Sequence, residues 1–440
     1  MKLFFFTGIL TFSTSLLFAQ NIDKIINAKE VERIEKTLSS DEMRGRRAFT
    51  PDIDRAADFI ADEFKKAGLQ TFLPAGQAGN NPGSYLQQFS MVRSQVISSH
   101  TELDGDILDP KNVSINSSHN TVQADQNSGY EIATIKPGGN LFREATAFIQ
   151  SGKNMLVFVD TSYASGFSRL SFGRRASFKT ENNVIFLLAN KIPQKFSIEA
   201  KQEITEQKLA NVVGILPGKK LKDEYVIFSG HYDHLGVGKP VNGDSIYNGA
   251  NDDASGTTAV IMLAKYFKQL NNNERTIVFA AFTAEEVGGF GSQYFSKQFD
   301  PAKVVGMFNI EMIGTESKWG RNSAYITGYE KTNMGAILQK NLEGSGFTFY
   351  PDPYPKQSLF YRSDNATLAR LGVPAHTIST SKMGTPPEEH SEPNYHKVSD
   401  EIGTLDMDNM AMIINAVALS SRDIISGKET PSRVKADELR

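Results

Sequence analysis

The stretch Tyr225–Gly236, with the sequence YVIFSGHYDHLG, joins an apolar run to a group of polar and charged side chains. Its first five residues have the length and the aromatic or β-branched character of a buried strand. The polar residues that follow therefore stand where a strand ends and a loop begins. In sheets covered by helices, binding and catalytic residues gather at the carboxyl ends of the strands.

The chain around this stretch alternates between strand-like and helix-like segments. The other strand-like runs are Thr276–Phe282, Val304–Ile310 and Ala375–Ser379. The helix-like segments are Ala254–Leu270, Gly288–Lys297, Asn333–Glu343 and Met407–Arg422, and helical spacing also occurs within residues 27–69. This alternation predicts an α/β fold, a mostly parallel mixed central sheet with helices on both faces.

The ends of the chain and its middle differ from this pattern. Residues 1–19 form an apolar stretch after Lys2 and end at a small residue, which predicts a signal peptide, with an uncleaved membrane anchor as the rival. Residues 20–90 and 207–426 form the predicted main domain, and residues 91–206 an inserted strand-rich subdomain or a continuation of the main sheet. Residues 427–440 are charged and predict a loose tail.

The composition argues against nucleic acid as a partner and against cysteine as a metal ligand. The net charge of −3 over 440 residues lacks the excess of Lys and Arg that is typical of proteins that bind nucleic acid. After cleavage of the signal peptide, no segment is apolar enough to hold the chain in a membrane, so we expect a periplasmic or extracellular protein. Because the chain has no cysteine, it forms no disulfides, and any zinc must be held by His, Asp and Glu.

Two polar clusters bracket the region between the first strand and the first long helix. His231 is a suitable zinc ligand at a strand end, and the Asp233 side chain can accept its other ring N–H. Asp252 and Asp253 are adjacent carboxylates, a costly pair unless a cation lies nearby. The simpler explanations are a hydrogen-bonded loop histidine and a helix N-cap, and each cluster alone leaves both open.

Three more clusters follow in the chain. Glu285 and Glu286 come directly after an apolar run, where one can bind a metal and the other can carry a proton. Glu311 ends a second apolar run. His396 is a further candidate ligand, and Tyr395 can donate to an oxyanion. A solvated acidic pair at a helix start and a simple exit of the strand to solvent remain the alternatives.

The other histidines are less suitable candidates for metal ligands. His390 is a rival of His396, but the acidic residues around it favour an exposed loop. His376 lies in a strand-like run and is predicted to be a core residue. His100 and His119 are predicted to lie on the surface.

With these residues in place, the chain resembles the family of zinc aminopeptidases that includes bacterial leucyl aminopeptidases, aminopeptidase Y and the glutamate carboxypeptidases. The resemblance covers about residues 211–423, and Arg44-Gly45-Arg46 resembles the N-terminal part of the family. The motifs stand in the family's order: SGHYDHLG at 229–236, YNGANDDASG at 247–256, FTAEE at 282–286, NIEMIG at 309–314 and YHKVSD at 395–400.

The resemblance implies two zinc ions that activate a water, with Glu285 as the general base. It also implies a cis peptide bond between Asp252 and Asp253. Where the family usually has Asp, this chain has Glu311. The implied zinc ligands are Asp252, which bridges both ions, with Glu286 and His396 on one ion and His231 and Glu311 on the other.

The predicted function is therefore that of a secreted aminopeptidase acting on peptides. The sequence does not indicate the number of subunits. A carboxypeptidase or a glutaminyl cyclase can use the same fold and site. A carboxypeptidase needs a cationic pocket for the substrate carboxylate, for which Arg362 and Lys356 are candidates. A metal-free binding protein is the alternative outside the enzymes.

Overall fold

A computed structural model of the protein describes residues 22–72, 83–170, 176–384 and 392–439. The chain divides into a larger unit, Met1–Gln88 with Leu209–Arg440, and a smaller unit, Phe89–Lys208. The predicted signal peptide and His390 lie outside the described residues. In the part that the structure describes, no helix combines the length and apolarity needed to cross a membrane.

The helices and strands follow one another along the chain in three groups. The first group is α1 (Ala28–Leu38), α2 (Pro51–Ala67) and β1 (Gln70–Thr71). The second is β2 (Leu86–Leu103), β3 (Asp106–Ile107), β4 (Val113–Asn116), β5 (Thr121–Asp125), β6 (Glu131–Ile135), α3 (Leu141–Ile149), β7 (Met155–Val159), α4 (Ala164–Phe167), β8 (Ser177–Phe178), β9 (Val184–Leu188) and β10 (Phe196–Leu216). The third is β11 (Leu221–His231), β12 (Gly236–Val241), β13 (Asp244–Tyr247), α5 (Ser255–Leu270), β14 (Arg275–Phe282), α6 (Phe290–Ser296), β15 (Val304–Ile310), β16 (Ser323–Ile326), α7 (Met334–Asn341), β17 (Thr348–Pro351), α8 (Asn365–Ala369), β18 (Ala375–Ser379), α9 (Met407–Ser420) and α10 (Arg422–Ile425).

The larger unit is built on a mixed sheet with a parallel centre. Its strands lie in the order β17-β16-β18-β15-β11-β14-β10, the last through the part of β10 that belongs to this unit. β14, β11, β15 and β18 pair in parallel. β10 runs antiparallel to β14, and β16 runs antiparallel to β18 but parallel to β17. The predicted mostly parallel mixed sheet is confirmed.

Apolar cores cover both faces of this sheet, because successive strand residues point to opposite sides. On β11, Val226 and Phe228 pack into a core with residues of α1, α2, α5 and α9. Ile227 packs on the other face, into a core that includes Phe295 of α6 and Leu368 of α8. The helices on both faces were predicted from the alternation of the sequence.

The smaller unit has a sheet of its own. The order is β4-β9-β7-β6, in which β6, β7 and β9 are parallel and β4 is antiparallel. Side chains of β7 alternate between two cores, with Val157 in one and Leu156 and Phe158 in the other. β2 and β10 carry the chain into and out of this unit.

The loose tail predicted after residue 427 is wrong for the described residues, which extend to 439. Val434 is buried, and its backbone N–H donates to the carbonyl of Gly372. The Arg433 guanidinium donates to the carbonyls of Val304 and Pro301. A charged composition alone could not indicate this packing, because each partner lies far away in the sequence.

Candidate metal centre

The polar clusters of the sequence lie where the parallel strands end. His231 is the last residue of β11, Glu285 comes three residues after β14, and Glu311 directly follows β15. Asp252 lies in a kinked segment before α5, and Tyr395–His396 belongs to the loop before α9. Parallel strands place their carboxyl ends at one edge of the sheet, so distant segments meet there.

Asp252 lies at the centre of these contacts. Its Oδ1 is 3.3 Å from Nε2 of His231, and its Oδ2 is 3.2 Å from Nε2 of His396. The same His396 nitrogen is 3.2 Å from Oε2 of Glu286. Burial raises the pKa of Asp252, but the imidazoles of His231 and His396 outweigh it and hold the pKa well below its usual range. The peptide bond between Asp252 and Asp253 is cis, as the resemblance implied.

His234 also faces this centre, and sequence reasoning missed it. Its Nδ1 lies 2.8 Å from Oε1 of Glu286 and 3.9 Å from Oδ2 of Asp252. One possible ligand atom from each of these three residues lies within 4.8 Å of the other two. The only signal in the sequence was its position three residues after His231, a spacing that does not show where a loop side chain points.

The second aspartate of the pair, Asp253, ties three segments together. Its carboxylate accepts hydrogen bonds from the backbone N–H groups of His231 at 3.1 Å, Gly256 at 3.0 Å and Met312 at 3.0 Å. A Cβ at position 256 would lie 2.0 Å from the carbonyl oxygen of Ile310, which explains the glycine there. Asp253 therefore fixes the backbone around the centre.

The Asp233 side chain has a different partner from the one predicted. Its carboxylate accepts from the backbone N–H groups of Glu285 at 3.0 Å and Glu286 at 3.3 Å. Nδ1 of His231 instead bonds to the Asp233 main-chain carbonyl at 3.1 Å, with the carboxylate oxygen Oδ1 at 3.7 Å. The prediction named the wrong acceptor atom of Asp233, because the carboxylate accepts hydrogen bonds from the loop after β14 and the main-chain carbonyl meets His231. Nδ1–H donation to the carbonyl leaves Nε2 of His231 as the acceptor nitrogen.

Glu285 and Glu311 are half-buried acids that lie near His231. Burial raises the pKa of Glu285 well above its usual range, and the charges of Glu311 and Asp364 add to the effect. Burial likewise raises the pKa of Glu311 to about 7. The Glu311 carboxylate accepts from the hydroxyl of Ser363 and, at 3.4 Å, from Nδ2 of Asn309. Glu311 is thus oriented by neighbours of its own and is not among the direct contacts of Asp252.

The balance of charge in this region calls for a cation. The carboxylates gathered here, all buried or half-buried, are Asp233, Asp252, Asp253, Glu285, Glu286, Glu311 and Asp364. Three imidazoles lie among them, and Nε2 of His231, both ring nitrogens of His234 and Oε1 of Glu286 have no hydrogen-bond partner. Buried acceptors without donors are costly, and nitrogen and carboxylate oxygen are the ligands that zinc takes when cysteine is absent. The donor set therefore fits zinc.

Tyr395 lies against the centre on the side of a cavity. Its ring stacks on that of His396, with centroids 3.9 Å apart and an interplanar angle of 14°. The cavity is lined by Tyr395 and Glu311 together with Arg362 and Ser363. His396 has a φ of +56°, and the residues beside Glu285 and Glu311 also have positive φ. Non-glycine residues in this region are uncommon and cluster at functional sites.

The other described histidines make their hydrogen bonds outside the metal centre. His376 is buried, with Nδ1 2.8 Å from the Thr327 carbonyl and Nε2 2.8 Å from the Thr332 hydroxyl, as expected for a core residue. His100 bonds to Glu102 and is exposed. His119 bonds to the carbonyl of Glu181.

The fold and the site together define a class: an α/β protein with a histidine and carboxylate metal centre at the carboxyl ends of its parallel strands. Residues 211–420 match the model of Peptidase family M28. This part of the chain is therefore an M28 peptidase domain, which confirms the family resemblance of the motifs.

Individual proteins agree with this assignment. The chain is 24% identical to aminopeptidase YwaD of Bacillus subtilis over 257 residues, which are 55% of this chain and 50% of that protein. It is 38% identical over 112 residues, 25% of this chain, to a protein of Pyricularia oryzae named "Probable zinc metalloprotease", of which it covers 22%. The chain thus spans half or less of the length of these relatives.

A solved structure shows the same fold. The zinc aminopeptidase BSAP from Bacillus subtilis superposes with a TM-score of 0.55 at 18% identity, covering 92% of this chain and 97% of that one.

Proposed function

We propose that the chain is a zinc-dependent aminopeptidase that uses two zinc ions. One observation carries the proposal: the two oxygens of Asp252 face different histidines, His231 at 3.3 Å and His396 at 3.2 Å. A carboxylate placed in this way can bridge two cations, with Glu286 and His396 on one side and His231 and Glu311 on the other. Bound zinc would lower the pKa of a water molecule and polarise the carbonyl of the peptide bond.

Glu285 is the proposed proton carrier. The residue is half-buried, and its backbone N–H donates to the Asp233 carboxylate at 3.0 Å, so the loop that carries it is fixed. Burial raises its pKa, which makes it a better proton acceptor than an exposed glutamate. We infer that Glu285 takes a proton from the attacking water and passes it to the nitrogen of the leaving amine.

Tyr395 is the proposed donor to the oxyanion. Burial and the surrounding carboxylates raise the pKa of its phenol, which therefore keeps its proton at neutral pH. Its stacking on His396 holds the ring beside a proposed ligand. A fixed O–H donor stabilises charge that develops on the carbonyl oxygen during attack.

The choice of the amino end rests on the names of the relatives, among them aminopeptidase YwaD. A carboxypeptidase remains the second candidate, because Arg362 lines the cavity beside Tyr395 and Glu311. Lys356, the other positively charged side chain proposed for a substrate carboxylate, is not among the residues that line this cavity. Aminoacyl substrates and N-blocked peptides with a free carboxylate separate the two: cleavage of the first group alone supports the aminopeptidase.

We also propose that the protein is exported, on the strength of the signal-like residues 1–19. N-terminal sequencing of the protein secreted by its host tests this, with a mature end after about residue 19 as the expected result. Retention in the cytoplasm of the full-length chain would contradict it.

The decisive experiment on the site compares Glu285→Gln with wild type. We expect zinc content to stay unchanged and kcat to fall at least 10²–10⁴-fold, roughly the contribution of general acid–base catalysis. Glu330→Gln, at a residue whose side chain is 75% exposed, is the matched control and should behave as wild type. A Glu285→Gln protein that retains the wild-type rate would show that this residue is not the proton carrier.

A further inference from the structure

His234 is a buried histidine whose hydrogen-bonding capacity is unused. It is 1% exposed, and neither ring nitrogen has a hydrogen-bond partner. A neutral imidazole has one donor and one acceptor nitrogen, and both are normally satisfied when buried. His376, equally buried in the same unit, satisfies both of its nitrogens at 2.8 Å. His234 therefore differs from an ordinary core histidine.

The surroundings of His234 direct Nδ1 at the metal centre. Nδ1 lies 2.8 Å from Oε1 of Glu286, yet the two atoms do not have hydrogen-bond geometry and both lack a partner. An unprotonated Nδ1 this close to a carboxylate oxygen is expected when the two atoms share a cation. The ring also packs against Gly249, where an added Cβ would lie 2.4 Å from Cγ of His234, so position 249 must be glycine for the ring to lie here.

The distances suit four ligands around one ion. Ligand atoms about 2.0–2.1 Å from a tetrahedral zinc stand roughly 3.3 Å from one another. His396 Nε2 is 3.2 Å from both Asp252 Oδ2 and Glu286 Oε2, and His234 Nδ1 is 2.8 Å from Glu286 Oε1 and 3.9 Å from Asp252 Oδ2. These four separations lie around the tetrahedral value, with Glu286 measured through Oε2 to His396 and through Oε1 to His234, and the ion would take one of these two oxygens.

We propose that His234 is a fourth protein ligand, through Nδ1, to the cation held by Asp252, Glu286 and His396. The proposal rests on the metal centre proposed above. A zinc with four protein ligands has the closed shell of a structural site, whereas a catalytic zinc keeps an open position. The open position of the pair then belongs to the other cation, the one proposed to be held by His231 and Glu311.

The test is a measurement of metal binding on the full-length protein. Wild type, His234→Asn and the control His376→Gln are stripped with chelator and titrated with Zn²⁺ against a chromophoric competitor. We expect His234→Asn to weaken one zinc position by more than about 100-fold, beyond the usual loss from a group that only orients a ligand. His376→Gln should bind zinc as wild type does.

X-ray absorption at the zinc edge gives a second readout. Zinc bound to wild type should show one more imidazole than zinc bound to His234→Asn at the same metal content. Wild type loaded with two zinc ions per chain also tests the proposal if the variant fails to fold: a total of three imidazoles over the two ions supports it, and a total of two overturns it. Equal affinity and equal imidazole scattering in folded wild type and variant would overturn it as well. A wild type that binds no zinc would instead overturn the proposed metal centre.

Discussion

Replacing Arg46 with methionine should destabilise the protein strongly. The guanidinium is fully buried and donates to four main-chain carbonyls: Leu38 at 2.6 Å, Tyr232 at 2.7 Å, Asn248 at 2.6 Å and Gly249 at 2.9 Å. Methionine fills a similar volume but leaves all four acceptors without this donor. Each such loss costs about 1–3 kcal/mol. Relief from burying a charge offsets part of the sum, so we expect a net loss of about 3–5 kcal/mol.

The assay is urea unfolding of both proteins in chelator, so that metal binding does not contribute to the free energy. Arg44→Met is the matched control, because the Arg44 side chain is 53% exposed and makes only a 3.5 Å ion pair with Asp52. That change should cost less than about 1 kcal/mol. If Arg46→Met lost no more stability than Arg44→Met, the buried hydrogen bonds of Arg46 would contribute nothing measurable and the reasoning would fail.

Three further predictions concern the site and the core. Tyr395→Phe should retain zinc but lower kcat by about 10²–10³-fold, the usual effect of removing one oxyanion donor; an unchanged kcat would exclude that role. Chelation should lower the thermal midpoint and added zinc should restore it, since a cation offsets repulsion among the buried carboxylates; identical melting curves would argue against a metal centre. Burial lowers the pKa of His376 to about 4, against about 6.5 unfolded, so the unfolded chain binds the proton first. Stability should therefore fall by about 2 kcal/mol between pH 8 and pH 5, and His376→Gln should lack this part of the loss in urea unfolding at those two pH values.

The sheet was predictable because its strands are short, apolar and separated by helices. The predicted strands Val304–Ile310 and Ala375–Ser379 are β15 and β18 with the same bounds, and the helix predicted from Met407 ends two residues earlier, at Ser420. Each depends on a local pattern of apolar residues. A period of two or 3.6 residues is visible in the sequence itself, whatever the rest of the chain does.

The site was predictable only in part, because its details depend on contacts between distant segments. Which atom of Asp233 meets His231 depends on the loop after β14, which occupies the carboxylate. The His234 ring packs against Gly249, and Arg46 donates to the carbonyl of Tyr232, 186 residues away in the sequence. No local pattern carries this information.

The anchors of the centre come from both ends of the chain. Arg46 binds the carbonyls of Tyr232 and Asn248, while the carboxylate of Asp400 accepts from the backbone N–H groups of Asn251 and Asp252. A chain cut before Asp400 would keep every strand of the central sheet but would lose one of these two supports, so the strands alone do not shape the centre.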